Sequence, residues 1–405
     1  ATDEIQGREW KFTWENVDFP IDGRYTFRTE ADDKMVVRVD GRRVQITEVS
    51  ENIEEKTRRF MAMQKDLITG ILGQDGANMA EYLLSLNDIY VYGMMRRSGS
   101  PNYYNIKDFK DHERFRLVDG DLSDEISINN VFLETMPDYF INFGANSFVG
   151  CSWDMPLQVF DVNTLGVIRC LEAIKKHKRS CRFYSAGSSE EFGDVDYSPQ
   201  DIKHPIKPRS PYGASKAATR HLVKVYRESY DLFAIHSILF NHEGIKRGEE
   251  FVTRKITKGV ARISSAINQG NDFDPVLLGN IHAKRDWSDS EDFVQGVWLM
   301  LNQDEPKEYI LSSNETHSIK EFVELSFKAA GIQGEWQGKD LNEKYILTEN
   351  KTILMEINKD FYRPAEVELL YGDSTPARTE LGWNPKYSFN DLVNRMTEND
   401  IRLIK

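Results

Sequence analysis

The stretch PYGASK sets Tyr212 and Lys216 four residues apart. On a helix they share one face, one turn apart. A nearby ammonium lowers the pKa of a phenol, and the tyrosinate can then take the proton of a hydroxyl while hydride leaves the same carbon. Lys216 is also suited to hold the ribose of a nicotinamide nucleotide. Upstream, Ser188 offers a hydroxyl from AGSSEEFG, residues 186–193, where two serines precede two adjacent glutamates. Strand alternation through this stretch puts Ser188 and Glu190 on one face and turns Glu191 away. That separation argues against a paired-carboxylate site.

A second constellation suits a dinucleotide. Gly70, Gly73 and Gly76 are spaced G-x-x-G-x-x-G, after the strand-like KDLIT and before the amphipathic DGANMAEYLLSL. Glycines in such a loop allow a tight turn and close approach of a pyrophosphate, which meets the positive end of the following helix. Gln74 and Asp75 lie in the same loop. The next strand-like run ends in Arg96-Arg97-Ser98. An acidic residue there would suit the ribose hydroxyls of NAD. Two arginines fit a 2′-phosphate, so NADP is the expected cofactor. Asp121 and Leu122, after FRLVDG, are placed by order beside the adenine.

The elements that would position these groups follow from the hydrophobic pattern. From residue 63, KDLITGILG, IYVYGMMRR, FRLVDGDL, YFINFGA, RFYSAGS and FAIHSILF read as strands, with helical segments between most of them. That rhythm predicts an α/β fold with a doubly wound parallel Rossmann sheet over residues 63–240. Residues 241–405 read mainly as a smaller α/β substrate-binding domain, interleaved with the first. Residues 1–62, with WKFTW, GRYTFRTE and KMVVRVDGRRVQITEV, read as a β-rich extension of structural or assembly character, and ENIEEKTRRFMAMQ as a short charged helix or linker.

Bulk composition narrows the classes. The 405 residues carry a formal net charge of −13, which argues against broad binding to nucleic acid or anionic membrane while leaving room for a local basic pocket. No apolar run approaches the roughly 20 residues of a membrane span. ATDEIQGREW lacks the pattern of a secretory leader. Three cysteines, Cys151, Cys170 and Cys181, without a C-x-x-C pair, suit a reducing cytosol. His242-Glu243 begins an H-E-x-x-H look-alike, but position 246 is lysine, so no metal site is expected. The acidic run 286–292 reads as a helix start.

The set of glycine loop, Ser188 and Tyr-x-x-x-Lys resembles the short-chain dehydrogenase/reductase pattern, its long spacing that of the extended branch. LITGILGQDGANMAEYLL, RRSGSPN, GDLSD, NFGANSFV, PRSPYGASK, ILFNHEGIKRGEEFVTRKIT, LGNIHAKRDWSDSEDFV and FYRPAEVELLYGD, in this order, are similar to the GDP-mannose 4,6-dehydratase family. The resemblance implies oxidation at C4 of a GDP-sugar by NADP, loss of water across C5 and C6, and return of the hydride to C6. Tyr212 then stands as the base at O4, with Lys216 as its helper. Ser188 replaces the family's threonine, and Glu190 is the C5/C6 acid–base. Asn241, Val252, Lys255, Gly279, Arg285, Arg363 and Glu366 are expected in the sugar-nucleotide pocket. The resemblance also implies a homodimer or homotetramer, with the RRSGSPN loop reaching a neighbouring subunit's cofactor site. Where the family has Ala-Ser-Thr-Ser-Glu-Leu-Tyr-Gly, this chain has Ala-Gly-Ser-Ser-Glu-Glu-Phe-Gly, which leaves the role of Glu191 open.

Overall fold

The computed structural model describes residues 60, 62–361 and 369–404 with their side chains, and the backbone of three strands nearer the N-terminus. Those strands, Tyr25–Glu30, Lys34–Val39 and Arg42–Gln45, pair antiparallel in order of sequence. WKFTW and most of the segment read as a charged helix or linker lie outside the described residues.

All six strand-like runs form strands of one parallel sheet: β1 (Gln64–Thr69), β2 (Ile89–Met95), β3 (Phe115–Asp119), β4 (Tyr139–Asn142), β5 (Arg182–Ala186) and β6 (Ala234–Leu239). A seventh, β7 (Ile310–Leu311), joins from much later in the chain. The order across the sheet is β7-β6-β5-β4-β1-β2-β3, every pair parallel. Strands buried on both faces need apolar residues at successive positions, and alternate ones feed different cores. Leu67, Phe140, Phe183 and Ala234 enter one apolar cluster, whereas Ile68, Ile141, Tyr184 and Ile235 enter another. Helices cover both faces: α1 (Gln74–Ser85) on the second cluster, α2 (Glu125–Thr135), α3 (Gly166–His177) and α4 (Pro211–Tyr230) on the first.

Beyond β6, helix α5 (Val252–Gln269) begins a second body of structure. It packs with α7 (Ile319–Ala329), α8 (Phe389–Ile404) and a four-stranded sheet whose first strand is Val276–Leu278. Between them, α6 (Ser290–Leu301) lies back against α1, where Asn78 donates to Ser290 Oγ at 2.8 Å. The acidic run is indeed a helix start: Asp289 caps α6 by accepting from the Glu291 amide at 2.9 Å. Among the described residues no helix is long and apolar enough to cross a membrane. The strand order reverses between β1 and β4, and ligand sites of such sheets lie at that switch, beyond the carboxyl ends of the strands.

Candidate active site

The loop after β1 is shaped for a close-approaching ligand. Gly70 has φ +69°, a conformation that disfavours side chains. A Cβ on Gly76 would stand 2.4 Å from the Gly70 oxygen, so only glycine lets α1 start where it does. No side chain caps the first turn of α1, whose amide groups and positive dipole end face the cleft. This cradle fits a dinucleotide pyrophosphate. Gln74 and Asp75 line it, but both are also committed elsewhere: Gln74 Nε2 donates to the His242 oxygen at 3.0 Å, and Asp75 Oδ2 lies 3.0 Å from His242 Nε2. Burial opposes charge on both partners, yet the pairing holds the Asp75 carboxyl below its ordinary range and the His242 imidazole above its own.

A cleft of about 690 Å³ continues past the tip of β2, lined by Gly70, Gly73, Arg96, Arg97, Ser98, Asp121 and Leu122 among others. Arg96, Arg97 and Ser98 are exposed. Asp121 accepts from the amide and hydroxyl of Ser123 at 2.9 and 2.8 Å. Burial would raise its carboxyl, but these bonds and the charge of Arg96 hold it lower than usual.

A larger cleft of about 880 Å³ contains the four groups of the acid–base set, Ser188, Glu190, Tyr212 and Lys216. Their placement begins with Ser210, which caps α4 through the Gly213 amide at 3.0 Å, followed by Pro211 in the first turn. Tyr212 and Lys216 then lie one turn apart and buried. A Cβ on Gly213 would come within 2.5 Å of the Glu190 carbonyl, so α4 abuts the turn that carries Glu190. The Tyr212 phenol shares a hydrogen bond with Ser188.

One expectation at this site needs correction. AGSSEEFG does not continue as a strand. β5 ends at Ala186, and Ser188 caps a 3₁₀ turn over Ser189–Glu191. Ser188 Oγ accepts from the Glu190 amide at 3.3 Å, and Glu191 reaches back to the Ser188 amide at 2.9 Å. A turn, not a pleat, therefore sends the glutamates apart: Glu190 lines the cleft and Glu191 is fully buried. Lys216 is held at the end of β5. Its Nζ donates to the Ala186 oxygen at 2.7 Å and lies 5.9 Å from the phenol's ring centre. Burial drives the phenol well above its ordinary range, against the pull of Ser188. Burial also lowers the Lys216 ammonium to about 8, against the charges of Glu191 and Asp75.

Asn241, Val252, Lys255, Gly279 and Arg285 line the same cleft. Val252 opens α5, and Lys255 follows one turn later with Nζ 3.7 Å from the Phe361 ring centre. A Cβ on Gly279 would meet the Phe361 oxygen at 2.6 Å. Arg363 and Glu366 lie outside the described residues. Phe361, Trp153 and Arg247 are cleft residues that sequence reasoning missed. Arg247 stacks on Phe251 at 3.5 Å and pairs with Glu243 at 3.0 Å. Its signal was present as a cation within HEGIKRGEE, among acidic neighbours. The H-E pair has other work: His242 holds Asp75, and Glu243 accepts from Thr253 at 2.6 Å and faces Arg247.

The strand order, the glycine cradle and the Tyr-x-x-x-Lys helix over the sheet's switch point define an extended short-chain dehydrogenase/reductase. Structures of that kind superpose on the chain. The dTDP-glucose 4,6-dehydratase of Bacillus anthracis in complex with NAD aligns with TM-score 0.67 at 20% identity, over 83% of this chain and 96% of that one. A Pseudomonas aeruginosa protein titled RMD, complexed with NADPH, gives 0.65 at 21%, over 84% and 98%. Sequence comparison is narrower. The family model for GDP-mannose 4,6 dehydratase matches residues 67–396. The human GDP-mannose 4,6 dehydratase is 40% identical over 84% of this chain and 92% of its own length. The chain belongs to the GDP-mannose 4,6-dehydratase family.

Proposed function

We propose that the protein dehydrates GDP-mannose to GDP-4-keto-6-deoxymannose, using NADP. The observation that carries this reading is the convergence of Ser188, Glu190, Tyr212 and Lys216 on the cleft that also holds Lys255 and Arg285, in a chain of the dehydratase family. A nicotinamide dinucleotide held by the 70–76 loop, Arg96, Arg97 and Lys216 would supply a hydride acceptor for C4, a hydride donor for C6 and a positive charge that favours a neighbouring phenolate. Tyr212 accepts the O4 proton, with Ser188 holding O4 by its hydroxyl. The resulting C4 carbonyl makes the C5 hydrogen acidic. Glu190 takes that proton and passes it to the C6 hydroxyl, which departs as water. The C5–C6 double bond so formed would accept hydride at C6 and one proton at C5, balanced by release of the O4 proton from Tyr212, which restores the base. Lys255 and Arg285 suit the diphosphate, by charge and by directed donors. Arg363 and Glu366 are assigned to this pocket by the family resemblance alone.

The choice of NADP rests on Arg96 and Arg97 at the tip of β2, where no carboxylate of the strand end competes for the ribose hydroxyls. Asp121 and Leu122 are assigned to the adenine end. Residues 63–240 are assigned to the cofactor and most of 241–405 to the sugar nucleotide. Self-association is also proposed. Trp153, Met155, Leu157, Phe160 and Leu165 are exposed along one short segment, the kind of apolar display that a second subunit covers. The decisive experiment incubates the purified protein with GDP-mannose and other sugar nucleotides and follows mass and NMR. Loss of one water from GDP-mannose, without net consumption of cofactor, is expected. Stoichiometric NADPH oxidation, or no dehydration of any sugar nucleotide, overturns the reading.

A further inference from the structure

Behind the catalytic loop lies an acid–base pair that the dehydration chemistry does not use. Glu191 and His236 are both fully buried, with Oε1 of the glutamate 2.9 Å from Nε2 of the imidazole. His236 sits in the middle of β6, where the sheet is buried on both sides. Buried polar side chains without a task are costly, and Glu191 Oε2 and His236 Nδ1 have no hydrogen-bond partner among the described residues. The pair is accommodated by a second departure from the family pattern. Gly187 stands where the family has serine, and a Cβ there would lie 2.4 Å from His236 Nε2, 2.4 Å from the Ser237 backbone oxygen and 2.7 Å from Glu191 Oε1. The absent side chain thus leaves room both for the backbone tie to Ser237 and for the carboxylate and its imidazole.

What the carboxylate holds is the loop bearing the reacting groups. Ala186, Gly187 and Ser188 are each tied by a different element: the Ala186 oxygen by Lys216 Nζ at 2.7 Å, the Gly187 amide by the Ser237 oxygen at 2.8 Å, and the Ser188 amide by Glu191 at 2.9 Å. A leucine at position 191 offers no acceptor for the third tie. We propose that Glu191, held by His236, is a positioning residue of the acid–base site. It fixes the Ser188 turn, and through it Glu190, and it is a negative charge facing Lys216. The charged and titratable groups around Lys216 are Glu191 from the turn, Asp75 from the start of α1 and Tyr212 on its own helix. Of these, Glu191 has the largest pull toward the ammonium form.

The assignment of a kinetic role rests on the proposed dehydration, so the test has one readout that does not need turnover. Glu191→Gln keeps the size and one acceptor but removes the charge; Glu191→Leu with Gly187→Ser installs the family residues. NADP binding to the cofactor-free protein is titrated across pH, and dehydration of GDP-mannose is followed in parallel. In E191Q the alkaline loss of NADP affinity is expected to move down by about one pH unit, since Lys216 loses the carboxylate with the largest pull toward its ammonium form. The kcat of E191Q is expected to fall about tenfold with KM changed less than about twofold. Restoration of wild-type kcat by the G187S/E191L pair, or an unshifted binding profile with unchanged kcat in E191Q, overturns the proposal. Absence of dehydration by the wild-type enzyme refutes the functional reading instead, and the binding profile still decides the Glu191 role. If G187S/E191L does not fold, the near-isosteric E191Q alone decides.

Discussion

Lys216 donates from Nζ to the carbonyl oxygen of Ala186 at 2.7 Å, so the helix of the Tyr-x-x-x-Lys pair is pinned to the end of β5 by the pair's own lysine. The ammonium that should serve a ribose thus already has one acceptor, and burial brings it down to about 8. Below that value it carries charge and three donors; above it the amine is neutral. NADP affinity of the cofactor-free protein should therefore fall as pH rises through about 8, and calorimetric titration at several pH values checks it. Stability runs the other way. The folded pKa lies below the ordinary 10.5, so the unfolded chain binds more protons between about 8 and about 10.5. This group's contribution accordingly makes the cofactor-free fold more stable as pH rises through that window. A binding profile flat to about pH 10 would sink the idea.

Replacing Tyr212 by phenylalanine removes the proposed O4 base and the hydroxyl bonded to Ser188, while keeping the buried ring. Turnover of GDP-mannose should drop about a thousandfold or more, with an unfolding midpoint within a few degrees of wild type. Ser188→Ala should cost less, about tenfold to a hundredfold, because it leaves the phenol in place. Equal, small effects of both changes on kcat would remove Tyr212 from the base role.

Much of this site could be read before any coordinates. The sheet was legible because its strands are apolar at successive positions, and the glycine loop because a tight turn leaves no room for other residues. The 186–193 turn was misread, although its signal was present: Ser188 and Glu191 have the S-x-x-E spacing of a capping box. Alternation was carried through Ser188–Glu191, although the strand ends at Ala186. His236 as the partner of Glu191 was not legible at all, since only the sheet brings β6 beside that turn. Nor was the high Tyr212 phenol, because burial depends on packing that no local pattern encodes. Arg363 and Glu366 lie outside the described residues, and their roles rest where the sequence left them.

The cradle itself gives a third test. A Cβ at position 76 would stand 2.4 Å from the Gly70 oxygen, backbone against backbone. Gly76→Ala should shift α1 away from the loop, lower stability by about 1–3 kcal/mol, and yield protein with less co-purifying nucleotide. Chromatography of the nucleotide released on denaturation measures it and names NADP or NAD at the same time. Undiminished nucleotide content in the variant would show that the dinucleotide does not use this approach.

The wall of the sugar-nucleotide cleft depends on a buried ion pair. Arg254 Nη2 lies 2.9 Å from Asp400 Oδ1, both side chains almost inaccessible, and Thr257 Oγ1 donates to the other carboxylate oxygen at 2.7 Å. These bonds fasten α8 to α5, the helix that carries Val252 and Lys255 into the cleft. Asp400→Ala leaves a buried guanidinium uncompensated and should destabilise the fold by about 3–5 kcal/mol. Where the variant still folds, KM for GDP-mannose should rise more than kcat falls, because the change displaces binding groups and leaves α4 untouched. Denaturant unfolding and steady-state kinetics measure the two effects.

Leu157 offers the cleanest test of self-association. It is 87% exposed, in the segment that also shows Trp153, Met155 and Phe160 to solvent. Burying a leucine against a second copy is worth about 2 kcal/mol, and a charge at an interface centre reverses that gain and adds a desolvation cost. Leu157→Lys should therefore move the protein to a smaller species in size-exclusion chromatography with light scattering, without lowering its helical content. If the RRSGSPN loop completes a neighbour's cofactor site, the same variant also retains less nucleotide. A wild-type monomer, or an L157K protein of unchanged mass, would show that this face is not where subunits meet.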